Sequence, residues 1–314
     1  MGHAHDHSRR PAPVDLRRFA WLSIAAALVT IALKTGAWWI TGSVGLLSDA
    51  AESVVNLVAA VIALVALTVA ARPPDAGHQF GHGKAEYFSA AVEGLMIFVA
   101  AALILVAAVQ RLIEPKELES LGVGLVISLV ATAVNGAVGL LLIRVGREHR
   151  SATLTADGKH LMTDVWTSAG VLVGVMLVAI TGWLALDSIV AIAVALNILW
   201  TGSRLVQSSV SALLDGALSP EDQAVVVAVL DRHRSGDVDF HGLQTRESGR
   251  HRFVSVHVLV PGAWTVQQAH DVVELVEGDI ETALEGVEVT THVEPREDAR
   301  SYDDAPFDAS QKRA

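Results

Sequence analysis

The sequence contains no cysteine among its 314 residues. It therefore has no disulfide framework, no thiolate ligand for a metal and no cysteine nucleophile. Charged residues are also scarce, at 18% of the chain, and their balance is a net charge of -11. No basic stretch is interleaved with aromatic residues, which excludes an ordinary nucleic-acid-binding surface. Any metal that this chain binds must be held by histidine, carboxylate, amide or water ligands.

Apolar residues make up 52% of the chain, and the mean hydropathy is +0.44. This composition is too apolar for an ordinary soluble domain and predicts several membrane-spanning helices in a lipid bilayer. Polar links divide the first two thirds of the sequence into six apolar segments. We place the predicted spans at residues 19–40, 46–71, 87–112, 121–143, 160–181 and 184–205.

The distribution of basic residues predicts the orientation of these spans. Arginine and lysine are concentrated in the N-terminal segment 1–18 and in the links 72–84 and 144–159, whereas the turns at 41–43 and near Gly182 carry none. An even number of spans places both termini on the same side. By the positive-inside rule that side is the cytoplasm. We therefore expect a multi-pass protein of the cell (inner) membrane with both termini cytoplasmic.

Two of the predicted spans carry paired polar side chains, Glu52 with Asn56 and His160 with Asp164. Residues four apart lie on the same face of a helix, so each pair presents two ligand atoms together. Ionisable groups inside a membrane helix are costly and by default mark functional sites. His160 and Asp164 could simply bond each other inside a bundle, but a second pair at the same spacing favours a metal site. Three oxygen ligands and one imidazole nitrogen suit zinc, and also accept manganese, iron(II), cobalt or cadmium.

Further polar residues inside or beside the predicted spans have expected roles of their own. Asp49 and Asp157 each precede a ligand pair by three residues, and we expect them to orient ligands or cap helices. Lys34 lies near the end of the first span, where its side chain is expected to reach the membrane interface. Glu93 and Asn135 are expected to hydrogen-bond within the bundle rather than contact substrate.

The composition changes near Ser219, after which charged residues return. Ser219 and Pro220 begin a predicted helix, since serine caps a helix and proline suits its first turn. Alternating apolar residues predict the strands that follow. We place helices at 219–234 and 264–284, and strands at 241–247, 252–260 and 287–293. This order predicts a small α+β domain.

Three segments together resemble the signatures of the cation diffusion facilitator family. They are L-L-S-D-A-A-E-S-V-V-N at 46–56, F-G-H-G-K-A-E at 80–86, and A-D-G-K-H-L-M-T-D at 156–164. The resemblance covers nearly the whole chain, and the combination is specific although no single segment would suffice. It implies an α-helical membrane protein with a six-helix transmembrane bundle and a C-terminal ferredoxin-like cytoplasmic domain. It also implies a homodimeric secondary active transporter, not an enzyme, that exports divalent metal by exchange with protons.

The resemblance assigns regions and site residues as well. The regions are a disordered His/Arg-rich tail at 1–18, a transport domain at 19–212, a cytoplasmic metal-binding and dimerisation domain at 213–296, and a disordered tail at 297–314. The transport site maps onto Glu52, Asn56, His160 and Asp164. The metal site in the loop maps onto Asp75 and His82, with His78 nearby. The cytoplasmic metal site maps onto His241, His257, His270, His292 and Glu294. A charge pair at the dimer interface maps onto Lys84 and Asp215.

One ligand departs from the pattern of the family. The first pair is often Asp-x-x-x-Asp or His-x-x-x-Asp, and here it is Glu52-x-x-x-Asn56. The identity of the metal therefore stays open, with zinc first. Because metal ligands must be deprotonated, protons and metal compete for such a site, which suits proton antiport.

Two other classes of function also stay open at this point. An intramembrane metal-dependent hydrolase would need an open coordination position and a general base beside bound water. The sequence has no H-E-x-x-H motif, and four protein ligands would close the site. A membrane-anchored metal sensor would bind metal in its cytoplasmic domain without moving it across the membrane.

Overall fold

The structure, a computed structural model, describes residues 15–41, 44–114, 122–183 and 185–303. The predicted N-terminal tail with its histidine run therefore lies almost entirely outside the described residues, as does the end of the predicted C-terminal tail. The chain divides into two compact units, one ending at Val206 and the other beginning at Gln207. We describe each unit separately.

The first unit is built from long apolar helices. They are α1 (Arg17–Thr41), α2 (Val44–Ala70), α3 (Ala85–Ile113), α4 (Gly122–Glu148), α5 (Ala152–Thr181) and α6 (Ala185–Leu213). Six of the described helices are long and apolar enough to cross a membrane. Large apolar side chains such as Leu103 and Val126 are exposed on them, as expected of helices that meet lipid chains. The prediction of a multi-pass membrane bundle is thus confirmed.

The boundary between α4 and α5 differs from the sequence prediction. Residues 144–159 were expected to form a charged link, yet α4 continues to Glu148 and α5 begins at Ala152. Ser151 caps α5, because its Oγ accepts a hydrogen bond from the backbone N–H of Leu154 at 3.3 Å. Hydropathy detects only the apolar part of a span, whereas the helical hydrogen bonds continue through the charged turns at its end.

Glycines allow α4 and α5 to approach closely. A Cβ atom on Gly158 would lie 2.7 Å from the carbonyl oxygen of Gly139 and 2.8 Å from the backbone nitrogen of Ile143. Small residues at such a crossing are typical of helix packing in membranes. His160 and Asp164 lie on a different face of α5 from Gly158, and both are buried inside the bundle.

The second unit is a three-stranded sheet with two helices packed on it. Its elements are α7 (Pro220–His233), β1 (Asp239–Ser248), β2 (His251–Val260), α8 (Val266–Ala283), β3 (Val287–Pro295) and a 3-10 helix (Ala299–Tyr302). Strand β2 lies between an antiparallel neighbour, β1, and a parallel neighbour, β3. Apolar residues of both helices and all three strands form one buried cluster. The predicted α+β fold is confirmed, and the described chain continues past Pro295 into the 3-10 helix.

The helix crossing at Gly158 yields a first testable prediction. Gly158→Ala should lower the melting temperature of the detergent-solubilised protein by several degrees, because the added methyl group overpacks the α4–α5 contact at a cost of about 1–3 kcal/mol. Gly36→Ala is the matched control, since a Cβ atom on Gly36 of α1 meets nothing within 4 Å. The control should leave the melting temperature unchanged or raise it. An unchanged melting temperature for Gly158→Ala would contradict the close packing.

Candidate metal centres

A polar centre lies between α2 and α5, where Asn56 contacts both His160 and Asp164. The Oδ1 atom of Asn56 is 2.8 Å from Nε2 of His160. The Nδ2 group of Asn56 donates to Oδ2 of Asp164. All three side chains are buried, with exposed fractions of 2%, 5% and 5% in chain order. The spacing of the two pairs therefore places three of the four predicted ligands together.

Charged side chains of two other helices act on Asp164. Glu52, one turn before Asn56 on α2, acts on the Asp164 carboxyl group, and so does Lys34 of α1. Lys34 is only 5% exposed. The expectation that it reaches the membrane interface is therefore wrong. The acidic residues of the centre supply a counter-charge for Lys34 inside the bundle. A hydropathy profile of α1 alone cannot reveal these residues, because they lie on other helices.

Asn135 of α4 also belongs to this centre. Its Nδ2 group donates to Oδ2 of Asp164 at 3.0 Å, and its side chain is 1% exposed. A hydrogen bond within the bundle was expected for Asn135, but the sequence did not indicate that its partner is a site residue. The only signal available was an isolated amide within an apolar span.

The centre has the chemistry of a cation site. His160 offers an imidazole whose Nδ1 atom is buried without a hydrogen-bond partner. Asp164 accepts two amide N–H groups at one oxygen. A divalent cation entering here would replace the amide donor of Asn56 and could take its carbonyl oxygen, together with the imidazole and the carboxylates, as ligands.

Asp157 does not have the role that its position predicted. Both of its carboxylate oxygens are buried and have no hydrogen-bond partner, so it neither caps α5 nor holds a ligand. Ser151 is the cap of α5. The side chain of Asp49 lies outside the described residues.

The loop between α2 and α3 brings Asp75, His78 and His82 together. Nδ1 of His78 is 3.4 Å from Oδ1 of Asp75, and Nε2 of His82 is 3.3 Å from its Oδ2. One ligand atom from each residue lies within 4.8 Å of the others. Hydrogen bonds from the backbone N–H groups of His78 and Gly77 lower the pKa of Asp75. An ionised carboxylate therefore faces two imidazoles, an arrangement that could hold a divalent metal.

The sheet register of the second unit aligns three histidines side by side. His241 on β1 pairs with His257 on β2, and His257 pairs with His292 on β3. The buried carboxylate of Glu294 lies 2.8 Å from Nε2 of His241 and 3.2 Å from Nδ1 of His257. Nε2 of His292 is 3.6 Å from the other oxygen of Glu294. Ligand atoms of His241, His257 and Glu294 lie within 4.8 Å of one another. This group could also hold a divalent metal.

Three predicted site residues are not placed with these groups. His270 lies on α8, largely exposed, with its Nε2 atom 3.7 Å from a carboxylate oxygen of Glu274. Its part in the cytoplasmic site stays a prediction. Lys84 and Asp215 belong to different units, so their charge pair also stays a prediction. Within the second unit, Arg246 donates to Asp215 at 3.4 Å.

Comparisons with known proteins cover both units. The family model of the cation efflux transmembrane domain matches residues 20–214, and that of the cytoplasmic domain of cation efflux proteins matches residues 218–296. An uncharacterised transporter of Synechocystis sp., sll1263, is 50% identical over 286 residues, which cover 91% of this chain and 92% of that protein. The cation-efflux pump FieF of Klebsiella pneumoniae is 31% identical over 278 residues, with coverages of 88% and 92%.

Among solved structures, the metal-bound C-terminal domain of the CzcD transporter from Thermotoga maritima is 26% identical to this chain. The match covers 25% of this chain and 92% of that chain, with a TM-score of 0.23. The two family models together span both units of the structure and contain all three candidate metal centres. The chain therefore belongs to the cation efflux, or cation diffusion facilitator, family of divalent-cation transporters.

Proposed function

We propose that this protein exports a divalent metal ion, zinc first, from the cytoplasm across the cell (inner) membrane in exchange for protons. The transport site is Glu52, Asn56, His160 and Asp164. The observation that supports it best is the convergence of an amide, an imidazole and a carboxylate inside an apolar bundle. Such groups are energetically costly in a membrane helix, so their presence there indicates a functional site.

The donor set favours zinc for two reasons. Imidazole nitrogen combined with carboxylate and carbonyl oxygen is a common zinc environment, whereas the chain has no sulfur ligand from cysteine that would favour copper(I). Two carboxylates, Glu52 and Asp164, can balance a divalent charge. Manganese, iron(II), cobalt and cadmium remain the alternative substrates, because Asn56 replaces a carboxylate with a neutral oxygen donor.

Proton exchange follows from the chemistry of the same ligands. An imidazole must be neutral and a carboxylate ionised to bind metal, so protons displace the metal. An unperturbed histidine titrates near pH 6.5, within the range of pH differences across a cell membrane. A more acidic outer side would then promote release there, while rocking of helices around the site would alternate its access.

The other two candidate metal centres support a second role for metal, as a structural ligand. In the proposed topology the Asp75–His78–His82 loop and the His241–His257–Glu294 group both face the cytoplasm. We propose that the cytoplasmic unit binds metal and contributes to a homodimer, since its family model is that of a dimerisation domain. A hydrolase or a metal sensor has less support, because members of this family are transporters.

A test of transport uses purified protein in sealed vesicles. We expect zinc flux to exceed that of manganese, iron(II), cobalt and cadmium, and to rise with an opposing proton gradient. Asp164→Ala should abolish flux, because the site loses a carboxylate ligand and the acceptor of two amide hydrogen bonds. His160→Ala should nearly abolish it and alter its pH dependence.

The control for the flux measurement is Thr163→Val, next to Asp164 on α5. The Thr163 hydroxyl donates only to the backbone carbonyl of Lys159 within its own helix, at 3.1 Å. The metal flux of the Thr163→Val variant should equal that of the unchanged protein. Wild-type flux in Asp164→Ala would exclude the proposed site, and flux that ignores the proton gradient would exclude antiport.

Asn56→Asp tests the departure from the ligand pattern of the family. A carboxylate here should tighten metal binding and make it more steeply dependent on pH, because a new titrating group competes with metal. Calorimetry across a range of pH, on protein with the cytoplasmic histidines replaced by alanine, would measure both. An unchanged affinity and pH slope would remove Asn56 from the ligand set and leave three protein ligands plus water.

The cytoplasmic metal centre can be tested on residues 219–297 alone, because their buried apolar cluster is drawn almost entirely from this range. Zinc at 100 times its Kd should stabilise the domain by about 2.7 kcal/mol. For a domain of this size the melting temperature should then rise by about 10 °C or more. His257→Ala should remove most of that rise.

His233→Ala is the matched control for the domain experiment. His233 contacts Asp279 at 2.9 Å, away from the sheet histidines, so its loss should leave the effect of zinc intact. Equal melting temperatures with zinc and with a chelator would exclude the cytoplasmic centre and leave the transport site untouched.

A further inference from the structure

Glu93 of α3 and Asp157 of α5 form a carboxyl pair that the proposed ligand set does not use. Both side chains are 0% exposed. Oε1 of Glu93 accepts a hydrogen bond from the Ser89 hydroxyl at 3.1 Å. Oε2 of Glu93 and both oxygens of Asp157 are buried without a hydrogen-bond partner. Three of the four carboxyl oxygens of the pair therefore lie inside the bundle unsatisfied.

The pair lies beside the transport site but is separate from it. Asp157 precedes His160 by three residues on α5, about 4.5 Å along the helix axis. Under the proposed topology it lies on the cytoplasmic side of the transport site. The Ser23 hydroxyl of α1 faces Asp157 and is itself buried without a partner at hydrogen-bond distance. Helices α1, α3 and α5 thus enclose a cluster of oxygen atoms.

The charged groups around the pair do not balance it. The charge that acts on Glu93 is that of Asp157. Glu86, nearer the start of α3, accepts a hydrogen bond from the Ser151 hydroxyl. The next titratable residues on the same side of α5 after Asp157 are His160 and Asp164 of the transport site. Lys34 of α1 and Glu52 of α2 both act on Asp164. Within the described residues, neither carboxyl group of the pair contacts a basic side chain.

An unpaired carboxylate in an apolar interior is strongly disfavoured, and two neighbouring carboxylates disfavour each other further. The pair is therefore stabilised by binding a proton, which removes one of its two negative charges. A divalent cation one helical turn away would supply the missing positive charge through the low-dielectric interior. The proton is then no longer required.

We propose that Glu93 and Asp157 hold one proton between them in the metal-free protein and release it to the solvent when metal binds at the neighbouring transport site. The bond that breaks is a carboxyl O–H bond, the proton goes to the solvent, and the metal charge stabilises the two carboxylates that remain. Proton and metal thereby exclude each other without sharing a ligand. The role in antiport rests on the proposed function, whereas the proton release itself is an equilibrium property of the purified protein.

The test counts protons released per zinc ion bound by full-length protein in detergent, using a pH indicator in weak buffer. The background protein carries His78→Ala, His82→Ala, His241→Ala and His257→Ala, so that zinc binds only at the transport site. Adding Glu93→Gln and Asp157→Asn should reduce the release by about one proton per zinc and flatten the pH dependence of the zinc Kd accordingly. An equal count with and without these two changes overturns the inference.

Glu86→Gln is the matched control, since it removes another buried carboxyl group from α3. Its proton count should equal that of the background protein, and an equal loss in this control overturns the inference. Infrared difference spectra of the background protein provide a measurement that needs no change at the pair. A protonated-carboxyl band should be present without zinc and disappear on its addition, and a band that persists overturns the inference.

The outcomes separate this inference from the proposed function. Zinc that binds the background protein with an unchanged proton count in the Glu93–Asp157 variant refutes only the role of the pair. An absence of zinc binding in the background protein refutes the transport site and the inference together.

Discussion

The hydrogen bonds of Asn56 connect the two helices on which the proposed transport site depends. Through one amide, α2 contacts both the imidazole and the carboxylate of α5. Asn135 adds α4 to the same centre through Asp164, and Lys34 adds α1 through its charge. In an apolar bundle each of these groups needs a partner, because water is not available to supply one. The centre therefore determines how four helices must meet.

The three candidate metal centres are built on different kinds of backbone. In the helical bundle, candidate ligands four residues apart on α2 and α5 converge from two helices. In the loop, Asp75 accepts two backbone N–H groups and thereby organises the turn that carries the histidines. In the second unit, strand register aligns His241, His257 and His292, and Glu294 lies among them. A rigid sheet suits a structural metal, whereas ligands on separate helices can part during a transport cycle.

The balance of charge inside the bundle is the physical basis of the proton exchange that we propose. The charges of Glu52 and of the buried Lys34 act on Asp164, whereas Glu93 and Asp157 contact no basic side chain among the described residues. A divalent ion arriving at the site changes the charge that both groups experience. In the mechanism that we propose, coupling through the low-dielectric interior extends the competition between proton and metal beyond the ligands themselves.

Much of the fold follows from the sequence, because hydropathy and local periodicity report the surroundings of each segment. They predicted the membrane bundle, the α+β domain and the faces that carry the ligand pairs, and the signature segments indicated the family. The partners of the buried polar residues were decided only by the tertiary structure: Lys34 was expected at the interface, Asp157 as a cap, and Asn135 as an ordinary bundle contact. The contacts of Asn135 and Asn56 with Asp164 span 29 and 108 residues of sequence. Such separations are closed by helix packing, including the Gly139–Gly158 crossing, which no local pattern encodes.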